Sequence, residues 1–355
     1  MNTTSRLILS RAPTRICDLG GWTDTWFAGH GRVLNLAVAP YVHATVRTDP
    51  GAPPGVRLQL ANYNLEYALP PRAELAARRW GPHPLLEAAV VLADPPAELA
   101  LEIGIDSQAP PGAGMGTSAA VTVALLAALA HLKAEAPTPY ELATAAQRVE
   151  TELLGGQCGV QDQLCAAYGG INWIEMPAYP QAQVRQLDLG AGTRAALADQ
   201  LAVVYLGQAH NSSQVHEMVI RSLEAAGAQH PPLEALRRAA DAGHAALAAG
   251  DLRALGAAMR ANTAAQESLH PELLKPTSRR AIALAARFGA WGWKVNGAGG
   301  PGGSLTVLLP PSDLPRRQAF LTAIERALPP ACGLPLDLAH QGVQVWEMDA
   351  SARED

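Results

Sequence analysis

The residues best suited to chemistry lie in three glycine-bearing segments of this 355-residue chain. In Pro110-Pro-Gly-Ala-Gly-Met-Gly-Thr-Ser-Ala119, glycines at 112, 114 and 116 let the backbone approach a ligand closely and turn its N–H groups inward. A helix starting at Thr117 aims its positive end at the same point, which suits phosphate. Thr117 and Ser118 supply hydroxyls that can cap the helix or bind a metal. Taken alone, the segment fits a phosphate loop and an ordinary capped strand-to-helix turn about equally well.

The second segment, Gly155-Gly-Gln-Cys-Gly-Val-Gln-Asp-Gln163, sets Asp162 in a glycine-rich loop between two glutamines. A carboxylate there can accept a hydroxyl proton or orient the hydroxyl for in-line attack, or it can simply cap the next helix. Glu150, on the preceding helix, can reach Mg²⁺ together with a hydroxyl such as Ser118, although a solvated surface charge is the plainer reading of it alone. The third segment runs from Arg11 to Asp24 (RAPTRICDLGGWTD). Asp24 can accept hydrogen bonds from sugar hydroxyls, with Trp22 offering an apolar face. Arg15 can hold Asp162 ionised and stabilise charge on a transferring phosphoryl group. Asp18 and Asp24 also fit as turn residues around Gly20-Gly21.

Two familiar nucleotide motifs are excluded. A Walker loop ends in Gly-Lys-Ser/Thr, and no lysine precedes Lys133. Gly297-Ala-Gly-Gly-Pro-Gly302 satisfies GxGxxG, but residues 304–309 after it read as a strand where a dinucleotide fingerprint needs a helix. A tight hairpin-like connection fits better.

The elements that must position these segments are mixed. Residues 34–46, 56–60 and 99–105 read as strands, 117–133 as a helix apolar on most sides, and 139–154 as a helix stopped by Gly155-Gly156. The stretch 176–183 (MPAYPQAQ) reads as a domain connection. Beyond it come a strand at 201–206, alanine-rich helices between 213 and 287, a strand at 305–309, a helix at 315–328 and a final strand at 343–348. Without strict βαβ alternation, the expected class is α+β, with domains at 1–180 and 181–355.

With 48% hydrophobic and 17% charged residues the chain can bury sizeable cores. A formal net charge of −5 gives no electrostatic reason to expect nucleic acid or an anionic membrane as partner. Four cysteines without a CxxC pair, no secretory leader in residues 1–10 and no apolar stretch of the ~20 residues that cross a bilayer favour a cytoplasmic protein with reduced thiols.

Three loops in this order resemble the GHMP kinases, the family of galactokinase, homoserine kinase and mevalonate kinase. Ala12-Pro-Thr-Arg15 with Gly20-Gly-Trp-Thr-Asp24 resembles the first family motif, Pro111-Gly-Ala-Gly-Met-Gly-Thr-Ser-Ala-Ala120 the phosphate loop, and Val295-Asn-Gly-Ala-Gly-Gly-Pro-Gly-Gly303 the C-terminal glycine motif. Cys158-Gly-Val-Gln-Asp-Gln163 looks like the galactokinase and heptose-kinase loops, and Ala166-Ala-Tyr-Gly-Gly-Ile-Asn172 is closest to the heptose 7-phosphate kinase branch.

The resemblance implies ATP and Mg²⁺ as donor and metal, with Asp162 catalytic and Arg15 its partner. It puts the phosphates on Pro111, Gly112, Ala113, Gly114, Met115, Gly116, Thr117 and Ser118, and the metal on Ser118 and Glu150. A small-molecule sugar would meet Asp24, Gly21, Trp22, Gln161 and Gly299. The implied fold is an N-terminal α+β domain, a ferredoxin-like C-terminal domain and a site between them, in a monomer or homodimer. Galactokinases carry Glu-His where this chain has Gly21-Trp22, which leaves the sugar open among a heptose 7-phosphate, a hexose and a uronic acid. His210-Asn-Ser-Ser213 can touch the substrate or cap a helix before Val215.

Overall fold

The computed structural model describes residues 5–208, 217, 219–221, 223, 227–311 and 315–349. Its longest strands, β1 (Arg6–Leu19) and β2 (Gly31–Thr48), are antiparallel partners at the centre of a nine-stranded sheet. The length of β2 lets it serve two neighbours in succession. Residues 31–36 pair with β6 (Ile171–Ala178), and residues 42–48 pair with β5 (Ala100–Ser107). The sheet continues through β3 (Gly55–Leu60), parallel to β5, to β4 (Leu65–Ala68).

Helices α1 (Arg72–Ala76), α2 (Pro84–Ala93), α3 (Thr117–Leu132), α4 (Pro139–Arg148) and α5 (Gln161–Tyr168) belong to the same half of the chain. Of these, α3 is buried on nearly every side, as its apolar circumference requires. Val123, Leu125 and Leu129 pack into a core with Ile8, Val42, Val46 and Ile103 from the sheet. A capping box at Thr138 and Glu141 starts α4.

The second sheet has four antiparallel strands, in the order β11 (Cys332–Leu334), β8 (Leu201–Tyr205), β10 (Ser304–Leu308) and β9 (Gly292–Val295). Helix α6 (Ala191–Gln200) leads into it. Between β8 and β9 lie α7 (Pro231–Ala248), α8 (Leu252–Leu269) and α9 (Pro276–Arg287), and α10 (Pro315–Ala327) joins β10 to β11. This is the ferredoxin-like order of strands. Period-2 alternation along β8 divides its side chains between two cores. Ala202 and Val204 pack with Ala281 of α9 and Phe320 and Ile324 of α10. Leu201 and Val203 share a core with Ile16, Leu34 and Leu36 of the first sheet and with Leu255 and Met259 of α8. The two sheets therefore meet through a common core.

Two expectations are corrected. Residues 176–183 form no connection between domains. They are the turn of a hairpin in which Ala178 of β6 pairs with Gln181 of β7 (Gln181–Gln186), so 181–186 belong to the first sheet. The chain returns there again at its far end, where β12 (Asp337–Leu338) pairs with β2 and β13 (Gln344–Asp349) with β1. The helix expected over 139–154 instead ends at Arg148, and residues 149–153 form a wider π-type turn closed by Leu154 N–H donating to Val149 O at 3.2 Å. Such bulges recur at functional sites, and this one carries Glu150 on the cavity wall. Among the described residues no helix is long and apolar enough to cross a membrane.

Candidate active site

Of two register shifts in the β1–β2 pairing, the one between Pro13 and Thr14 precedes Arg15 and the one between Ile16 and Leu19 contains Asp18. Shifts of this kind re-aim side chains. Cys17, between them, holds φ of 54°, uncommon for a residue with a side chain, and its N–H donates to Asn296 Oδ1 at 3.0 Å. Arg15 and Asp18 both reach a cavity of about 500 Å³ walled by β1, the loop after it, the glycine loop, the turn at Glu150, the start of α5 and Gly297-Ala298.

Arg15 is the crosslink of this site. Its Nε donates to Asp162 Oδ1 at 2.8 Å and its Nη2 to Asp162 Oδ2 at 3.1 Å, a two-pronged pairing that fixes the carboxylate's plane. Its Nη1 donates to Gly114 O, and its own N–H to Met115 O at 2.9 Å, which fastens the glycine loop to β1. Burial opposes the guanidinium charge, but Asp162 and Asp18 outweigh it and hold the group above its ordinary pKa. Gly116, at φ 69°, sits against this pair. A Cβ there would lie 3.2 Å from Asp162 Cγ and 3.3 Å from Arg15 Cγ.

Asp162 lies in the first turn of α5, not in the loop expected from the glycines before it. The cap of that helix comes from afar. Asp24 Oδ2 accepts the N–H groups of Val160 and Gln161 at 3.0 and 3.1 Å. Gly159 makes the approach possible, because a Cβ on it would lie 2.0 Å from the same oxygen. Asp24 is thus a helix cap on one oxygen and still part of the cavity wall. Burial pushes its carboxyl up to about 6, against the pull of the Gln161 N–H, with Asp162 adding repulsion.

Glu150 is enclosed in the same way. Gln163 Nε2 donates to its Oε1 at 2.9 Å, yet burial, with repulsion from Asp162, pushes it up to about 7. Its charged form is therefore destabilised in the metal-free protein. A folded-state pKa raised above the ordinary 4.5 means that Glu150 favours folding below about pH 4.5 and loses that contribution as pH rises through 7. Glu150→Gln keeps the acceptor for Gln163. It should raise metal-free stability by about 1–3 kcal/mol at pH 7.5 and by little at pH 5, measured by thermal or urea unfolding.

Glu150 and Ser118 both line the cavity, Ser118 from the first turn of α3. The neighbouring Thr117 hydroxyl is buried without a hydrogen-bond partner in the protein. Among the described residues no three His, Cys, Asp or Glu side chains cluster as a metal cage. A hard-oxygen pair of this kind fits Mg²⁺, which binds through one or two protein ligands and fills its shell with phosphate oxygens and water.

Of the residues expected from sequence, Arg15, Trp22, Asp24, Glu150, Gln161, Asp162 and the whole run 112–118 line the cavity. Pro111, Gly21 and Gly299 do not. Pro111 is exposed beside it. Gly21 gives clearance to Asp18 Oδ2, which would be 2.6 Å from its Cβ, and Gly299 does the same for Leu273 O at 2.5 Å. His210-Asn-Ser-Ser213 lies outside the described residues.

Sequence reasoning missed a buried ion pair beneath the site. Lys294 of β9 and Asp18 of β1 are each 1% exposed and 3.3 Å apart, Nζ to Oδ1. Lys294 also donates to Gln266 Oε1 at 3.1 Å and to Val295 O. Asp18 in turn accepts the Gly297 N–H at 3.1 and 3.2 Å, which sets the second glycine loop against the first sheet. Burial lowers the lysine's pKa and Asp18 opposes that fall. A signal was present: one of only three lysines falls inside an apolar strand, where it needs an anion.

This architecture has known counterparts. Residues 84–170 match the family model "GHMP kinases N terminal domain" and residues 244–324 match "GHMP kinases C terminal". The chain has the two-domain GHMP kinase fold, and both its halves are similar to that family. Its relatives include the mevalonate kinase of Methanothermobacter thermautotrophicus, 28% identical over 218 residues that cover 59% of this chain and 65% of that protein, just short of two thirds. The galactokinase of Roseiflexus sp. is 27% identical over 335 residues, or 85% of this chain and 83% of that one. Among solved structures, a D-glycero-D-manno-heptose 1-phosphate kinase from Bacteriodes thetaiotaomicron superposes with a TM-score of 0.72 at 19% identity, covering 96% of this chain and 98% of that chain. At that identity the likeness establishes the fold.

Proposed function

We propose that the protein is an ATP-dependent kinase that phosphorylates a hydroxyl of a small sugar by in-line transfer. The observation that carries this is the fastening of Asp162, through Arg15, to the glycine loop at Gly114 and Met115. A proton acceptor and a phosphate cradle are thereby held as one rigid unit, which is the positioning that phosphoryl transfer depends on.

In this reading the triphosphate lies along residues 112–118, whose N–H groups and helix end favour anions. Asp162 accepts or orients the proton of the attacking hydroxyl. The Arg15 guanidinium, held by two carboxylates, fixes the orientation of Asp162 and counters charge that develops on the phosphoryl group. Glu150 and Ser118 would hold Mg²⁺, which neutralises phosphate charge when bound. The Gln161 amide would exchange hydrogen bonds with sugar hydroxyls, and the Asp24 carboxylate would accept from them, beside the Trp22 face.

The mevalonate kinase relative favours a second reading, in which a non-sugar alcohol is the acceptor. Asp24, Thr25, Gln161 and Gln163 on the wall speak for the sugar, because mevalonate, a branched dihydroxy acid, has fewer hydroxyls to meet them and adds a carboxylate. ADP release with ATP·Mg²⁺ across free sugars, uronic acids, sugar phosphates and mevalonate tests the proposal. Turnover should require a sugar. Turnover with mevalonate alone would transfer the assignment to the second reading, and silence on every acceptor would remove the kinase activity.

A further inference from the structure

The cavity is electrically lopsided. Its described lining holds four carboxylates, Asp18, Asp24, Glu150 and Asp162, and one cation, Arg15. More decisive than the count is how the donors that could receive an anion are used. Arg15 gives two arms to Asp162 and the third to Gly114 O. The free N–H groups at the start of α5, otherwise a ready anion site, are filled by Asp24. The Gly297 N–H and the Lys294 ammonium are both taken by Asp18. Among the described residues at the acceptor end, Arg15, Lys294, the start of α5 and the Gly297 N–H thus each already hold a carboxylate of the protein. The phosphate end is the opposite, since α3 has no acidic residue in its first turn and Ser118 there is open to the cavity.

We propose that the acceptor is an uncharged polyhydroxylated molecule, a free sugar or comparable polyol, and that this wall rejects acceptors bearing a phosphate or carboxylate. The inference rests on the phosphoryl-transfer reading of the site and narrows its substrate. A second anion brought to this end is stripped of water without gaining a free cation and lies close to Asp24 and Glu150, the two lining carboxylates with no ion-pair partner among the described residues. Hydroxyl groups meet no such penalty, because they donate to the same carboxylates that repel an anion. Selection therefore comes from unpaired charge built against the wrong substrate as well as from contacts to the right one.

The test compares matched pairs: galactose with galacturonate and galactose 6-phosphate, arabinose with arabinose 5-phosphate, and glucose with glucuronate and glucose 6-phosphate. ADP release gives kcat/KM, and calorimetry in the presence of a non-hydrolysable ATP analogue with Mg²⁺ gives the acceptor's Kd independently of turnover. At least one neutral sugar should exceed each of its anionic congeners by about 100-fold or more in kcat/KM and in affinity. Asp24→Asn, which keeps an oxygen for the Val160 and Gln161 amides, should narrow that gap. An anionic congener that binds as well as its neutral partner, or a failure of every neutral sugar to bind, would overturn the inference. Preferential binding of neutral sugars without any ADP release would sustain the charge selection while removing the kinase reading.

Discussion

Asp162→Ala should lower turnover by on the order of 10³-fold or more while leaving ATP affinity within a few-fold of the parent. Proton acceptance by a positioned side chain contributes about 10²–10⁴-fold, and Asp162 also fixes where Arg15 points. The alanine variant leaves a guanidinium that is 4% exposed without its two-pronged partner, although Asp18 still offsets its charge. A loss of stability of about 1.5–3 kcal/mol should accompany the loss of turnover. On the proposed reading the nucleotide's contacts would run along residues 112–118 without passing through Asp162, so calorimetric ATP binding should survive. Unfolding measurements on the same sample separate the two effects. Near-normal turnover in a folded Asp162→Ala protein would take the catalytic role away from this residue.

The second large effect concerns folding. Lys294→Met should destabilise the protein by about 3–5 kcal/mol, because it takes the hydrogen-bonded cation from an Asp18 carboxylate 1% exposed, leaving it the Gly297 N–H and the more distant charge of Arg15. Paired buried charges behave asymmetrically: removing both is far milder than removing one. Lys294→Met combined with Asp18→Asn should therefore recover much of the loss, as read by urea unfolding. Equal destabilisation in the single and double variants would mean that the lysine acts through packing of its stem and not through its charge.

What the sequence could and could not reveal follows from how far apart the partners lie. Glycine spacing and the residue types at 15, 24, 118, 150 and 162 carry their chemistry locally, so the cavity wall was largely legible. The strands and the apolar circumference of α3 were legible for the same reason, since periodicity is a property of the segment itself. Asp162 was misplaced in a loop because the helix that holds it begins where Asp24, 136 residues earlier in the chain, supplies the cap. The Lys294–Asp18 pair spans 276 residues, and one sequence does not register such a contact. The hairpin at 176–183 was mistaken for a connection because turns and linkers draw on the same residues. Gly21 and Gly299 read as ligand contacts, yet they are small to clear Asp18 and the Leu273 carbonyl. A glycine in a binding motif marks close approach without saying to what.

In-line transfer requires a nucleotide and an acceptor to sit on either side of the reacting phosphoryl, with Asp162 at the acceptor hydroxyl. A crystal structure with a non-hydrolysable ATP analogue, Mg²⁺ and the neutral sugar that turns over best measures this directly. The β- and γ-phosphates should lie on the N–H groups of residues 112–118, with one sugar hydroxyl about 3 Å from the Asp162 carboxylate and in line with the γ-phosphorus. A nucleotide bound away from this loop, or an acceptor with no hydroxyl within reach of Asp162, would contradict it.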